Sequence, residues 1–158
     1  MFTERNEQHI SVPVEQEIRF WMSAPATTIN LAVPVSEALM LMQEHNIRRL
    51  PVVVDTGEIC GMITQGDIRG ADLLRTGGTD PFDVAEALRH IKVYQVMSES
   101  PIIIRADTGL REAAMLMIEN KIGGIPVVDG DNFVVGIITE SDLFEALVYQ
   151  LNQYTIES

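Results

Sequence analysis

Laid on itself with a shift of 75 residues and no gap, the chain repeats, residues 22–69 falling on residues 97–144 with about a third of positions identical. Met22-Ser23 meets Met97-Ser98, and Pro51-Val52-Val53 meets Pro126-Val127-Val128. Glu37-Ala38 and Met40-Leu41-Met42 meet Glu112-Ala113 and Met115-Leu116-Met117. Gly61-x-Ile63-Thr64-x-x-Asp67 meets Gly136-x-Ile138-Thr139-x-x-Asp142. The 158 residues therefore divide into two similar small units that can share one core.

Each unit has the same grammar. A short β-like run (Thr27 to Leu31; Ile102 to Arg105) precedes a helix with Ala38, Leu39, Leu41 and Met42, or Ala113, Ala114, Leu116 and Met117, on one broad face. A compact β-branched strand follows (Leu50 to Val54; Ile125 to Val128), then a turn at Asp55-Thr56-Gly57 or Asp129-Gly130-Asp131-Asn132. A further strand, Ile59 to Thr64 or Phe133 to Thr139, leads into a closing helix, so the order is β-α-β-β-α. Each unit also has a leader. Pro13 opens an apolar-periodic stretch through Ile18 and Trp21, and Asp80-Pro81, an N-cap and a first-turn proline, opens another through Val84, Leu88 and Ile91. Arg75-Thr76-Gly77-Gly78-Thr79 is the expected linker and the most mobile internal segment. Residues 1–75 are accordingly assigned to the first unit with its leader helix, and residues 76–158 to the linker, second leader and second unit.

Composition is that of a folded globular chain, 46% hydrophobic and 22% charged. No window reaches the roughly 18 apolar residues of a membrane span, and the N-terminus has no signal- or transit-peptide pattern, so a cytoplasmic location is expected. The formal charge of −12 opposes a polyanionic duplex, and neither nucleic acid nor membrane is an expected partner. A small anion is another matter, because it answers to local donors and helix ends. Cys60, the one cysteine, reads as a small buried apolar residue.

A hydrophobic strand Leu-Pro-Val-Val, a turn, then Gly-hydrophobic-hydrophobic-Thr-x-x-Asp, present twice in one order and spacing, resembles the CBS repeat, and a tandem pair of them a Bateman module. The resemblance covers nearly the whole chain. It implies an α/β (α+β) fold in which two β-α-β-β-α repeats pack about a pseudo-two-fold axis. It also implies a regulatory sensor that holds an adenosine-containing nucleotide between the repeats and catalyses nothing, with no catalytic domain appended. AMP, ADP or ATP is the expected ligand, ahead of S-adenosylmethionine or NAD, and no cofactor is required. Pairing through shared apolar helix faces implies a homodimer that is read by an output protein the sequence does not identify. The alternative is a dimerisation or docking module whose clefts have lost ligand binding.

Carried over by position, the resemblance implies two composite sites. One combines Ala26, Thr27, Ile47, Arg48 and Arg49 with Ile137, Thr139, Ser141 and Asp142. The other combines Pro101, Ile102, Ile122, Gly123 and Gly124 with Met62, Thr64, Gly66 and Asp67. The residue types suit the task. A carboxylate accepts two hydrogen bonds at once, matching the paired hydroxyls of a ribose, and a threonine hydroxyl with free N–H groups at a helix start can meet a phosphate. Thr-x-x-Asp at a helix start also approximates a capping box, useful with no ligand at all, and two adjacent arginines are equally a solvated surface pair. Arg48 and Arg49 make the first site the one expected to take a phosphorylated ligand, whereas Gly123-Gly124 offers backbone and space.

No catalytic or metal constellation is expected. His9, His45 and His90 lack ligand-type spacing and read as surface residues, and neither a Gly-x-Ser-x-Gly elbow nor a phosphate loop occurs. The repeated methionines are gap-fillers on amphipathic helices. Asp129-Gly130-Asp131-Asn132 is a hairpin turn, since the rest of a calcium loop is missing.

Overall fold

The computed structural model describes residues 16–76 and 80–156, without the side chains of 72–76 and 156. The first unit runs β1 (Ile29–Asn30), α1 (Val35–His45), β2 (Arg49–Val53), β3 (Ile59–Thr64) and α2 (Gln65–Thr76). After α3 (Pro81–His90) and β4 (Ser98–Glu99), the second runs α4 (Leu110–Asn120), β5 (Gly124–Val128), β6 (Val134–Thr139) and α5 (Glu140–Ile156). The expected β-α-β-β-α order holds, except that the strand expected at Ile102 to Arg105 is a single bridge, Ile104 to Val127.

The shift of 75 is carried by the hydrogen-bonded register itself. β1 pairs parallel with β2 at Ile29–Val52, and the Ile104–Val127 bridge repeats that pair. β3 pairs antiparallel with β4 at Met62–Ser98, and the Ser23–Ile137 bridge repeats it. The β2–β3 and β5–β6 hairpins share one register and one bulge, between Val52 and Val53 and between Val127 and Val128. Their turns put Gly57 (φ 97°) and its counterpart Asn132 (φ 65°) in the left-handed region, which glycine and asparagine enter most readily. The Asp129 carboxylate accepts from the Asp131 and Phe133 N–H groups, confirming a turn. At the centre of the molecule Glu58 bridges Phe133, its own counterpart, which places the pseudo-two-fold axis there.

The leaders cross over. Each was expected to belong to the repeat that follows it, but Ile18 is fully buried in the second core, with Ile104, Ala113, Met117, Ile125, Val127 and Ile138. Its counterpart Val93, with Leu88 and Ile91, is buried in the first, among Ile29, Val35, Ala38, Met42, Leu50, Val52 and Ile63. The same backbone bonds fasten both: Ile18 N–H to Thr108 O at 2.8 Å and Arg19 N–H to Ala106 O at 3.1 Å, against Val93 N–H to Val33 O at 2.9 Å and Tyr94 N–H to Leu31 O at 3.0 Å. Periodicity marks a segment as amphipathic without saying which apolar face it will cover, hence the difference. The second leader helix starts as expected, with Asp80 accepting from Phe82 N–H and Pro81 in the first turn. In the first leader the described helical element is a 3-10 turn, Ile18–Phe20, while Pro13 lies outside the described residues. Of the expected linker, Arg75 and Thr76 end α2 and residues 77–79 lie outside the described residues.

Coverage of the helices is unequal. α3 packs on both α1 and α2. On the other side an apolar groove of about 510 Å³ runs between α4 and α5, bordered by Leu110, Ile118, Leu143, Phe144 and Leu147. Cys60 is half-buried against the first core, where burial pushes its thiol up and away from the reactive thiolate. His45 and His90 are exposed, and His9 lies outside the described residues.

Candidate functional site

Two clefts open between the repeats, related by the pseudo-two-fold. The first, of about 560 Å³, is walled by Ala26, Thr27, Ile47, Arg48 and Arg49 from one repeat and Ile137, Thr139, Ser141 and Asp142 from the other. All nine residues expected there line it, joined by Ser23, Pro25, Asn46, Pro51, Gly123 and Glu140. The second, of about 480 Å³, brings Pro101, Ile102, Ile122, Gly123 and Gly124 together with Met62, Thr64 and Gly66. Asp67 does not line it, although the sequence sets it beside Thr64 and Gly66.

Both aspartates are engaged at the start of a helix. Thr64 N–H donates to Asp67 Oδ2 at 2.9 Å, and Asp67 N–H donates back to Thr64 Oγ1 at 3.1 Å, a reciprocal capping box. In the second repeat Thr139 gives both its N–H (2.8 Å) and its hydroxyl (3.1 Å) to Asp142 Oδ2. Capping is thus real at both positions, and it leaves each Oδ1 without a protein partner among the described residues. At Asp142 that oxygen belongs to a side chain lining the cleft. Burial raises the Asp142 carboxyl above the usual carboxylate range; the two Thr139 bonds oppose this and Glu145 adds to it.

The segments before β2 and β5 are tied to the helix starts. Gln65 N–H donates to Arg48 O at 2.9 Å, and Glu140 N–H donates to the counterpart carbonyl of Gly123 at 3.1 Å. These bonds fix the short runs before β2 and β5 against the first turns of α2 and α5, so each repeat offers a preformed wall to both clefts.

The arginines depart from the simple assignment. Arg48 is exposed, as a solvated residue would be, whereas Arg49 is half-buried, and both line both clefts rather than the first alone. Arg49 lies across the backbone of Gly123 and of Gly124, its own counterpart, where an added Cβ would come within 2.6 Å of its Cδ. Desolvation draws its guanidinium below the ordinary arginine value; Glu140 opposes the shift and Arg48 adds to it. The second cleft also gains Arg69 and Lys121, which lie outside the repeated motifs. Lys121 carries a trace of its role, in the left-handed cap of α4 (φ 54°) immediately before Ile122, while Arg69 carries none, since its counterpart is Phe144. Charge therefore divides unevenly: Asp142 and Glu140 face Arg48 and Arg49 in the first cleft, and four cations line the second with no carboxylate. No group of three metal-ligating side chains exists among the described residues, and no helix there is long and apolar enough to cross a membrane.

The CBS domain family matches residues 14–73 and 93–149. A CBS domain-containing protein of Dictyostelium discoideum is 36% identical over 80% of this chain and 88% of its own length. The L-aspartate semialdehyde sulfurtransferase of Methanocaldococcus jannaschii is 30% identical over 77% of this chain, which spans only 21% of that enzyme. Among solved structures, CBSX2 of Arabidopsis thaliana in complex with AMP superposes with a TM-score of 0.70 at 25% identity, covering 84% of this chain and 96% of the other. The CBS domain pair of protein MJ0100, in complex with 5-methylthioadenosine and S-adenosyl-L-methionine, gives 0.67 at 28% identity, covering 83% and 98%.

Proposed function

The chain belongs to the CBS domain family, and we propose that it is a cytoplasmic sensor that takes an adenosine-containing nucleotide, AMP-, ADP- or ATP-like, between its repeats and catalyses nothing. The observation that carries this reading is the convergence of Asp142 with Arg48 and Arg49 around one cavity of about 560 Å³. Asp142 Oδ1 accepts from a ribose hydroxyl, the apolar and backbone surface of Ala26, Thr27 and Ile47 receives the base, and the arginines meet phosphate. Occupancy is passed on as a change in the arrangement of the halves or of two protomers, limited by the ligand's differential affinity for the two states. Support comes also from two solved relatives with AMP or adenosyl ligands bound.

Thermal unfolding with AMP, ADP, ATP, S-adenosylmethionine and NAD tests this. At about 100 times its dissociation constant the true ligand adds about 2.7 kcal/mol, a rise of several degrees in midpoint. Asp142→Asn weakens binding about ten-fold and so halves the gain. Asp67→Asn has the smaller effect, because Asp67 does not line its cleft. A midpoint that none of the five moves overturns the reading.

A second reading, assembly without ligand, has its own observation. Phe144, Leu147, Val148, Leu151 and Tyr154 on α5 are all at least half exposed, beside Ile118 of α4 at 70%. Such a face suits a homodimer, alone or as the route by which a sensor signals. Leu147→Glu with Leu151→Glu should convert dimers to monomers in sedimentation velocity while the midpoint of the isolated fold holds. A parent that sediments as a monomer at high concentration excludes this role.

A further inference from the structure

Position 49 has no equal partner in the second repeat. Its counterpart is Gly124, and the two are in contact near the pseudo-two-fold, so a side chain at Gly124 would displace the Arg49 side chain from where it lies. Cβ atoms added at Gly123 would come within 2.8 Å of both Arg49 Nη1 and Nη2. The glycine pair therefore provides a bed for one guanidinium. That guanidinium lines both clefts and is in no ion pair among the described residues.

We infer that Arg49 is a single anion-binding cation shared by the two clefts, so that a phosphorylated ligand seated in one weakens the binding of a second in the other. This rests on the nucleotide-sensor reading and concerns its regulation. A guanidinium committed to phosphate oxygens on one side of the Gly123-Gly124 ridge gives a charge-assisted pair there and withdraws it from the other side. The second ligand then relies on what remains, Arg48, Arg69 and Lys121 in one cleft or Arg48 alone in the other. Arg48 also reaches both clefts, but it is exposed and screened by water, so it adds affinity more than coupling. The consequence is a graded response, with one cleft filling at low nucleotide and the other only at higher concentration.

Calorimetric titration of AMP into the full chain and into two plugged variants tests the inference. Gly66→Trp fills the second cleft and its counterpart Ser141→Trp the first, so each variant reports one cleft alone. The product of the two single-cleft affinities should exceed the product measured in the parent by about 10-fold, within the usual span of coupling. Arg49→Met, which keeps the stem over the glycines, should bring the two products together. Adenosine, lacking phosphate, should show no coupling in the unmodified protein. Equal products in the parent, or coupling that persists in Arg49→Met as direct repulsion between ligands would, overturn the sharing and leave the sensor reading intact. Absence of AMP binding in the parent and in both plugged variants overturns both.

Discussion

Replacing Ile18 with alanine is expected to lower stability by about 2–5 kcal/mol, the range for truncating a fully buried isoleucine. The residue lies in a leader turn, where a sequence-local view would expect little cost. It sits instead in the second core, among residues from Ile104 to Ile138 far along the chain. Little around it can close the gap, because the turn is pinned on both sides, by Ile18 N–H to Thr108 O and by the paired bonds between Ser23 and Ile137. Trp21, edge-on to Tyr149 of α5 with ring centres 5.5 Å apart, adds a further anchor. Denaturant unfolding measures the loss. Val93→Ala, the counterpart in the first core, should cost less because fewer methyl groups leave. The effect should also reach the site, since the same segment continues into Ser23, Ala26 and Thr27 of the first cleft. A cost below about 1 kcal/mol would mean that the leader does not help to hold the second core together.

Much of this architecture is legible in the sequence, for a physical reason. Several residues that repeat also pack alike: Ala38 and Ala113, Met42 and Met117, and Val52 and Val127 occupy equivalent buried places in the two cores. The clefts are legible in the same way, because a pseudo-two-fold brings equivalent segments to equivalent places, and eight of nine and nine of nine expected residues line them. What the sequence hides is what a side chain does after the backbone is placed. Asp67 and Asp142 share a motif and both accept from the threonine at their helix start, yet of the two only Asp142 lines its cleft. Arg49 has nothing in its own neighbourhood to show that it reaches both clefts; the sign lies in Gly124, which matters only once the two repeats face each other. The exchange of leaders is hidden for a related reason, since an amphipathic stretch fits either core.

Gly136→Val is expected to cost about 3 kcal/mol or more, because it drives a branched side chain into backbone that cannot yield. A Cβ at Gly136 would stand 2.9 Å from Ser23 O and 2.8 Å from Met22 Sδ. The thioether can swing aside, but the carbonyl belongs to the bridge in which Ser23 and Ile137 exchange bonds of 2.9 and 3.0 Å, each worth about 1 kcal/mol. Accommodating valine means breaking that bridge and lifting the Met22-Ser23 segment off β6, at the wall of the first cleft. Gly61→Val is the matching change in the other repeat, where Ser98 O lies 2.8 Å and Met97 Sδ 2.7 Å from the added atom, and it opens the second cleft instead. The pair therefore predicts more than instability: each variant should lose AMP from one cleft and keep it in the other. Gly70→Ala is the control, since nothing lies within 4 Å of the added carbon and the site is inside α2, where alanine favours the helix by up to about 1 kcal/mol. Urea midpoints that fall for both valine variants and rise for the alanine variant would tie the repeated Met-Ser and Gly to one clamp that holds each crossing segment on the other repeat. An unchanged midpoint in Gly136→Val would mean that the crossing segment is free to move, and the first cleft would then lack the fixed wall on which its chemistry depends.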